Sequence, residues 1–208
     1  MIRLFVGLDF PSAVRARLAG LCGGLPTARW VEAQNLHLTL RFIGPVDGAT
    51  AGDIDHALDR LSSVPAFSFT LDGVGTFGRG KHPHTLWVGT APSLELAHLH
   101  RKIDSALVRQ GIAPDPRQFT PHVTLARLSE GNGKQGKGNY ARGNSERLHS
   151  FLAGNNLFNA GPVSVSSFVL FSSHPGGNYR EEARYDLKPG LFGEEALTGD
   201  NDNERISL

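Results

Sequence analysis

His37-Leu38-Thr39-Leu40 and His122-Val123-Thr124-Leu125 are one short pattern used twice, far apart in the chain. Side chains alternate between the two faces of a strand, so a tetrad in β conformation sends His and Thr to one side. Leu38 and Leu40, or Val123 and Leu125, then go to the other side and into a core. Each copy offers one acid/base group and one hydroxyl together. Two copies facing each other would make a site with a proton acceptor on one wall and a proton donor on the other. A lone strand histidine is more commonly a hydrogen-bonded structural residue. Two in matched contexts point to chemistry.

The surrounding sequence repeats as well. Val6-Gly7, a short spacer and Pro11-Ser12 open a helix in the first half, and Val88-Gly89, a spacer and Pro92-Ser93 open one in the second. A tetrad follows each at a similar distance, which reads as an internal duplication. Apolar alternation and turn residues predict strands over residues 2–8, 28–31, 36–43, 67–71, 85–89, 119–127, 163–171 and 179–187. Helical spacing predicts helices from Ser12 to the Gly23-Gly24 stop, over residues 53–61 and 94–108, and a short one over 148–152. Strand pairs mixed with helices favour an α+β fold with antiparallel sheets. Residues 131–143, rich in Gly, Lys and Asn, read as a mobile loop. Residues 1–190 are expected to form one bilobal domain, and 191–208 a disordered acidic tail.

Composition sets outer bounds. The 208 residues carry a formal net charge of +1, so no global charge points to nucleic acid, although a local basic groove is compatible with it. Cys22 is the only cysteine, which excludes an intramolecular disulfide and agrees with a reducing compartment. No apolar run approaches the ~20 residues of a membrane helix, and a soluble cytoplasmic protein is expected. Two imidazoles are too few for a typical protein-bound zinc site, and no cysteine or carboxylate travels with the tetrads as a catalytic partner. His82 and His84 share a strand face without a third ligand, and His98 and His100 point to different helix faces. No metal or cofactor is expected. The chemistry left is proton transfer by two histidines at an anionic tetrahedral group, with Thr39 and Thr124 donating to its oxygens. Phosphate is the natural candidate.

His37-Leu38-Thr39-Leu40 and Pro121-His122-Val123-Thr124-Leu125-Ala126-Arg127 resemble the paired His-x-Thr-x motifs of the 2H phosphoesterases, and within them the RNA 2′,3′-cyclic phosphodiesterases, also called 2′–5′ RNA ligases. The likeness runs from about Arg3 to Leu187. It includes Leu4-Phe5-Val6-Gly7, Arg41-Phe42-Ile43-Gly44 and the stretch from Gly73 to Gly78 before Leu86-Trp87-Val88-Gly89. The resemblance implies a bilobal duplicated fold: two antiparallel sheets, helices on their outer faces, and a pseudo-twofold central cleft lined by the two motif strands. It implies metal-independent opening of a 2′,3′-cyclic phosphate at an RNA 3′ end to a 2′-phosphomonoester. By position His37 would be the acid, His122 the base, and Thr39, Thr124 and Arg127 the phosphate contacts. The pseudo-symmetry makes the two roles easy to exchange.

Three further expectations accompany this reading. Arg127 lies one strand position beyond the alternation and needs a bend or its own length to reach. Arg41 is expected to be a solvated strand residue, and Phe42 and Phe119 core residues in preference to base-stacking ones. The basic stretch Arg79, Lys81, His82 and His84 is a candidate RNA contact. Substrates would be RNA 3′ ends or small cyclic phosphates, with a monomer and no obligate protein partner expected. The alternatives are a related enzyme acting on small cyclic nucleotides or ADP-ribose 1″,2″-cyclic phosphate, and a non-catalytic module that holds RNA ends.

Overall fold

The computed structural model describes residues 1–26, 28–79, 82–128 and 137–189. The strands are β1 (Ile2–Leu8), β2 (Ala28–Trp30), β3 (Leu38–Val46), β4 (Phe67–Arg79), β5 (His82–Thr90), β6 (Val123–Leu128), β7 (Asn159–Val165), β8 (Ser167–Ser173) and β9 (Tyr179–Asp186). The helices are α1 (Ser12–Ala19), α2 (Gly48–Asp59), α3 (Leu94–Arg109) and α4 (Lys137–Asn155). All strand pairs are antiparallel, in the order β7-β4-β5-β6-β3-β1-β8-β9, with β2 on the free side of β6. In place of the two separate sheets expected, the strands form one continuous nine-stranded sheet, because β3 pairs with β6; its two halves are the two lobes. The strands β3 and β6 meet through one backbone pair, Leu38 with Val123, so hydrogen bonding runs on from one lobe into the other, and a parallel bridge between Pro65 and Lys188 joins the entry to β4 with the exit of β9.

The helices cover the outer faces, but not where chain order alone would put them. α1 follows β1 of one lobe and packs on β7 of the other. α3 follows β5 of the second lobe and packs on β3 of the first, beside α2. α4 lies against β4. Each lobe therefore buries its apolar sheet face under a helix supplied by its partner lobe. α3 shows the physical cause: Leu96, Leu99, Ile103, Ala106 and Leu107 form one buried stripe, and Ser93 caps Leu96 N–H at 3.1 Å. This is the stripe that helical spacing predicts.

Several elements differ from the sequence-based expectation; β6 starts at Val123 rather than 119, and α1 ends at Ala19, short of the Gly23-Gly24 stop. α2 starts at Gly48 rather than 53, because the Asp47 carboxylate accepts Thr50 N–H at 2.8 Å and caps an earlier turn. β4 runs to Arg79, well past 71, as the partner of β5; its glycines hide the alternation. The single strand read over 163–171 is two strands broken at Ser166, where the chain leaves β7 in one lobe and enters β8 in the other. Residues 137–143 of the expected loop are the first turns of α4, whose apolar spacing is visible only from Leu148 onward. The rest of that loop, and the tail at 191–208, lie outside the described residues, as does Lys81.

Candidate active site

The two motif strands lie side by side at the centre of the sheet, with β1 beyond β3 and β5 beyond β6. Leu38, Leu40, Val123 and Leu125 are buried, and His37, Thr39, His122 and Thr124 line one cleft of about 1140 Å3. The alternation thus places the residues as the tetrads require.

Each histidine is held in the same way. His37 Nδ1 lies 2.7 Å from the Asn35 carbonyl, and His122 Nδ1 lies 2.7 Å from the Thr120 carbonyl. A carbonyl can only accept, so each Nδ1 carries the proton and each neutral ring keeps its lone pair on Nε2. The Asn35 carbonyl is presented by a short 3-10 turn, Ala33–Asn35. Arg15 of α1 donates to Gln34 O at 2.8 Å, which ties that turn down. The Thr39 hydroxyl lies 3.1 Å from His37 Nε2 and donates to it while the ring is neutral.

Aromatic rings fix both imidazoles. His37 packs against Phe5 and Tyr179, each with its ring centre 4.9 Å away, and His122 meets Phe77 edge-on at 4.7 Å. Trp87 stands 6.3 Å from His122. A Cβ on Gly75 would lie 2.4 Å from the Trp87 ring, so only glycine fits beneath it. Burial lowers the pKa of His37 below the ordinary 6.5; the Asn35 carbonyl opposes this and a charge on His122 adds to it. Burial also lowers that of His122, opposed by the Thr120 carbonyl and helped by the Arg127 guanidinium. Both rings are therefore biased toward the neutral form.

A β-bulge solves the reach of Arg127. Trp87 pairs with Thr124 but Leu86 with Ala126, which leaves Leu125 as an extra residue on β6. The next outward position is then Arg127, on the cleft side with His122 and Thr124. β3 carries the matching bulge at Leu40, since Gly7 pairs with Thr39 and Val6 with Arg41. This register matches Gly7 to Trp87, two residues from the match of Val6-Gly7 to Val88-Gly89 that spacing suggests. Arg127 Nη1 donates to the buried Thr85 hydroxyl at 2.8 Å, and His84 Nδ1 lies 2.9 Å from the same oxygen.

The bulge at Leu40 overturns the reading of Arg41. Turned inward, Arg41 is 5% exposed and not solvated. Its Nε donates to Asp104 at 2.6 Å, and its other nitrogens reach the Phe42 and Ala113 carbonyls. Phe42, expected in the core, is turned outward instead and is 49% exposed on the cleft wall beside Arg117. Phe119, expected in the core, is only partly buried: it packs against the core, stacks on His100 at 3.9 Å and also lines the cleft. Sequence reasoning passed over Phe5, Phe77 and Tyr179. The signal for Phe77 lay in the glycine-rich stretch around it, where an aromatic among glycines marks a wall left uncovered by neighbours. Among the described residues, no group of three or more His, Cys, Asp or Glu could hold a metal ion. No helix among them is long and apolar enough to cross a membrane.

A two-lobed α+β scaffold that offers two imidazoles from matched bulged strands across one cleft defines the class of 2H phosphoesterases. The chain belongs to the 2′-5′ RNA ligase superfamily, whose family model matches residues 10–134. It is 31% identical over 132 residues to an RNA 2′,3′-cyclic phosphodiesterase of Thermotoga maritima, covering 61% of this chain and 70% of that one. It is 29% identical over 212 aligned positions to one of Geobacillus stearothermophilus, covering 98% of this chain and 62% of that one. Among solved structures, Escherichia coli LigT complexed with 3′-AMP superposes with a TM-score of 0.66 at 27% identity, covering 89% of this chain and 98% of LigT.

Proposed function

We propose that this protein hydrolyses the 2′,3′-cyclic phosphate at an RNA 3′ end and leaves a 2′-phosphomonoester. The observation that carries the reading is the matched Nδ1 tether, which turns both Nε2 atoms to acid/base work in one cleft, that of His37 beside the Thr39 hydroxyl. His122 Nε2 takes a proton from water as its oxygen attacks phosphorus. The P–O3′ bond breaks, and His37, entering as the imidazolium, gives its Nε2 proton to O3′. Thr39, Thr124 and Arg127 hold the equatorial oxygens as charge grows on them. Arg127, beside His122, favours the neutral ring that a base requires, which supports this order of roles. The two imidazoles supply both proton transfers, so no step calls on a metal. The names of the Thermotoga and Geobacillus relatives and the 3′-AMP complex of LigT support the same substrate class.

The test is an RNA oligonucleotide ending in a 2′,3′-cyclic phosphate, with the product resolved against 2′- and 3′-phosphate standards. The 2′-monoester should appear, and turnover should persist in excess chelator. His37→Ala and His122→Ala should each lower kcat by roughly 10²–10⁴-fold. A 3′-monoester, a chelator-dependent loss restored by a divalent ion, or full turnover in both single variants would overturn the proposal. Tight binding with no product would leave an RNA-end-binding module.

A further inference from the structure

We infer that Arg29, on β2 beside Arg127, forms a second anion site that takes the phosphodiester immediately upstream of the terminal cyclic phosphate, making the cleft selective for polynucleotide ends over mononucleotides. The inference rests on the function proposed above and names its substrate more narrowly.

The geometry is a row across three strands. Arg29 on β2 pairs directly with Arg127 on β6, and Arg127 pairs with Thr85 on β5. Directly opposed residues of antiparallel strands share a face, with Cβ atoms about 5 Å apart. Both arginines are exposed on the cleft wall. Like charges placed opposite each other on a sheet destabilise it. Here nothing among the described residues offsets them. The other cleft arginines behave differently: Arg41 holds Asp104 and Arg117 holds Asp115, each through a charged hydrogen bond. Arg29 and Arg127 have no carboxylate among the described residues. Arg3 also lacks one but faces no cation, since its register partners are Pro45 and Ser173.

Two guanidinium groups on directly opposed residues, with no carboxylate among the described residues to neutralise them, suit a pair of neighbouring anions. Thr85 anchors Arg127, so Arg127 is committed to the phosphate held by the tetrads. Arg29, one strand further out, is left to meet the next phosphate along the chain. A guanidinium suits that task because its forked donors match phosphate oxygens. A 2′,3′-cyclic mononucleotide without a 5′ phosphate has nothing to place there.

The experiment compares kcat/KM of the full chain for a dinucleotide ending in 2′,3′-cyclic phosphate with that for the matching cyclic mononucleotide. In Arg29→Ala the ratio of dinucleotide to mononucleotide should fall about tenfold, the size of one charge-assisted contact. Arg29→Lys should restore part of it. The salt slope of log kcat/KM for the dinucleotide should flatten by about 0.7, one phosphate contact on a single strand. A dinucleotide with an uncharged methylphosphonate linkage should show the same loss in the unaltered protein, and no further loss in Arg29→Ala. An unchanged ratio, or equal losses on both substrates, would overturn the site. If the unaltered protein turns over neither substrate, the parent reading falls instead. Binding of the dinucleotide with and without Arg29 then decides the anion site separately: equal affinity rejects it, weaker binding without Arg29 upholds it.

Discussion

His37 and His122 do what their neighbours permit, and that can be read in the pH dependence. Burial pushes both pKa values below the ordinary 6.5, so in the free enzyme the state with one ring neutral and one charged is most populated on the acid side of that value. The optimum of kcat/KM should therefore lie below pH 6.5. In the substrate complex, an anionic phosphate favours the imidazolium, which moves the optimum of kcat upward. A kcat/KM optimum well above 6.5 would contradict the assigned environments. Arg41 makes a second prediction. Its guanidinium joins β3, α3 and the Ala113 loop, so Arg41→Ala should cost about 3 kcal/mol in a denaturant titration. A cost within 0.5 kcal/mol, the ordinary range for a surface change, would show that the buried pair does not brace this wall. The histidines and threonines were legible because they occur twice in one pattern. Arg41 and Phe42 were misread because alternation was assumed to run on past Leu40, and an extra residue there exchanges inside for outside.

At the level of elements, the paired bulges at Leu40 and Leu125 put different side chains at equivalent places: Phe42 in one lobe and Arg127 in the other. The duplicated strands thus produce an unsymmetrical cleft, cationic beside His122 and aromatic beside His37. β4 and β5 make the second difference, since Trp87 lies across Gly75 where a side chain would collide with it. Gly75→Ala should push the indole toward His122, destabilise the protein by about 1–3 kcal/mol through overpacking, and lower kcat. Equal stability and equal kcat would mean that the indole has room to yield. Helix α3 was legible in its apolar spacing and β1 in its apolar run. The far half of β4 was not, because glycines erase alternation. The split at Ser166 was not, because apolar residues flank it on both sides and only the change of lobe reveals it.

The whole molecule is one sheet whose two halves borrow each other's helices. α1 and α3 cross between lobes, while α2 on β9 and α4 on β4 stay within their own, so each half of the sheet is covered in part by the other half of the chain. Unfolding should then be one transition, with far-ultraviolet circular dichroism and tryptophan fluorescence changing together. Trp30 and Trp87 lie on strands that flank β6, in the same lobe, so a separate earlier loss of the other lobe would appear as non-coincident curves. The duplication and the cleft were legible in the matched tetrads and helix starts. The exchange of helices was not, because local periodicity reports which face of a helix is apolar but not which sheet receives it. The backbone pair between Leu38 and Val123 has one further consequence. The two imidazoles come from the residues just before that pair, one on each side. The seam, the Pro65–Lys188 bridge and the crossed helices α1 and α3 all tie one lobe to the other, so the spacing of the two rings is set by the whole fold and not by either half.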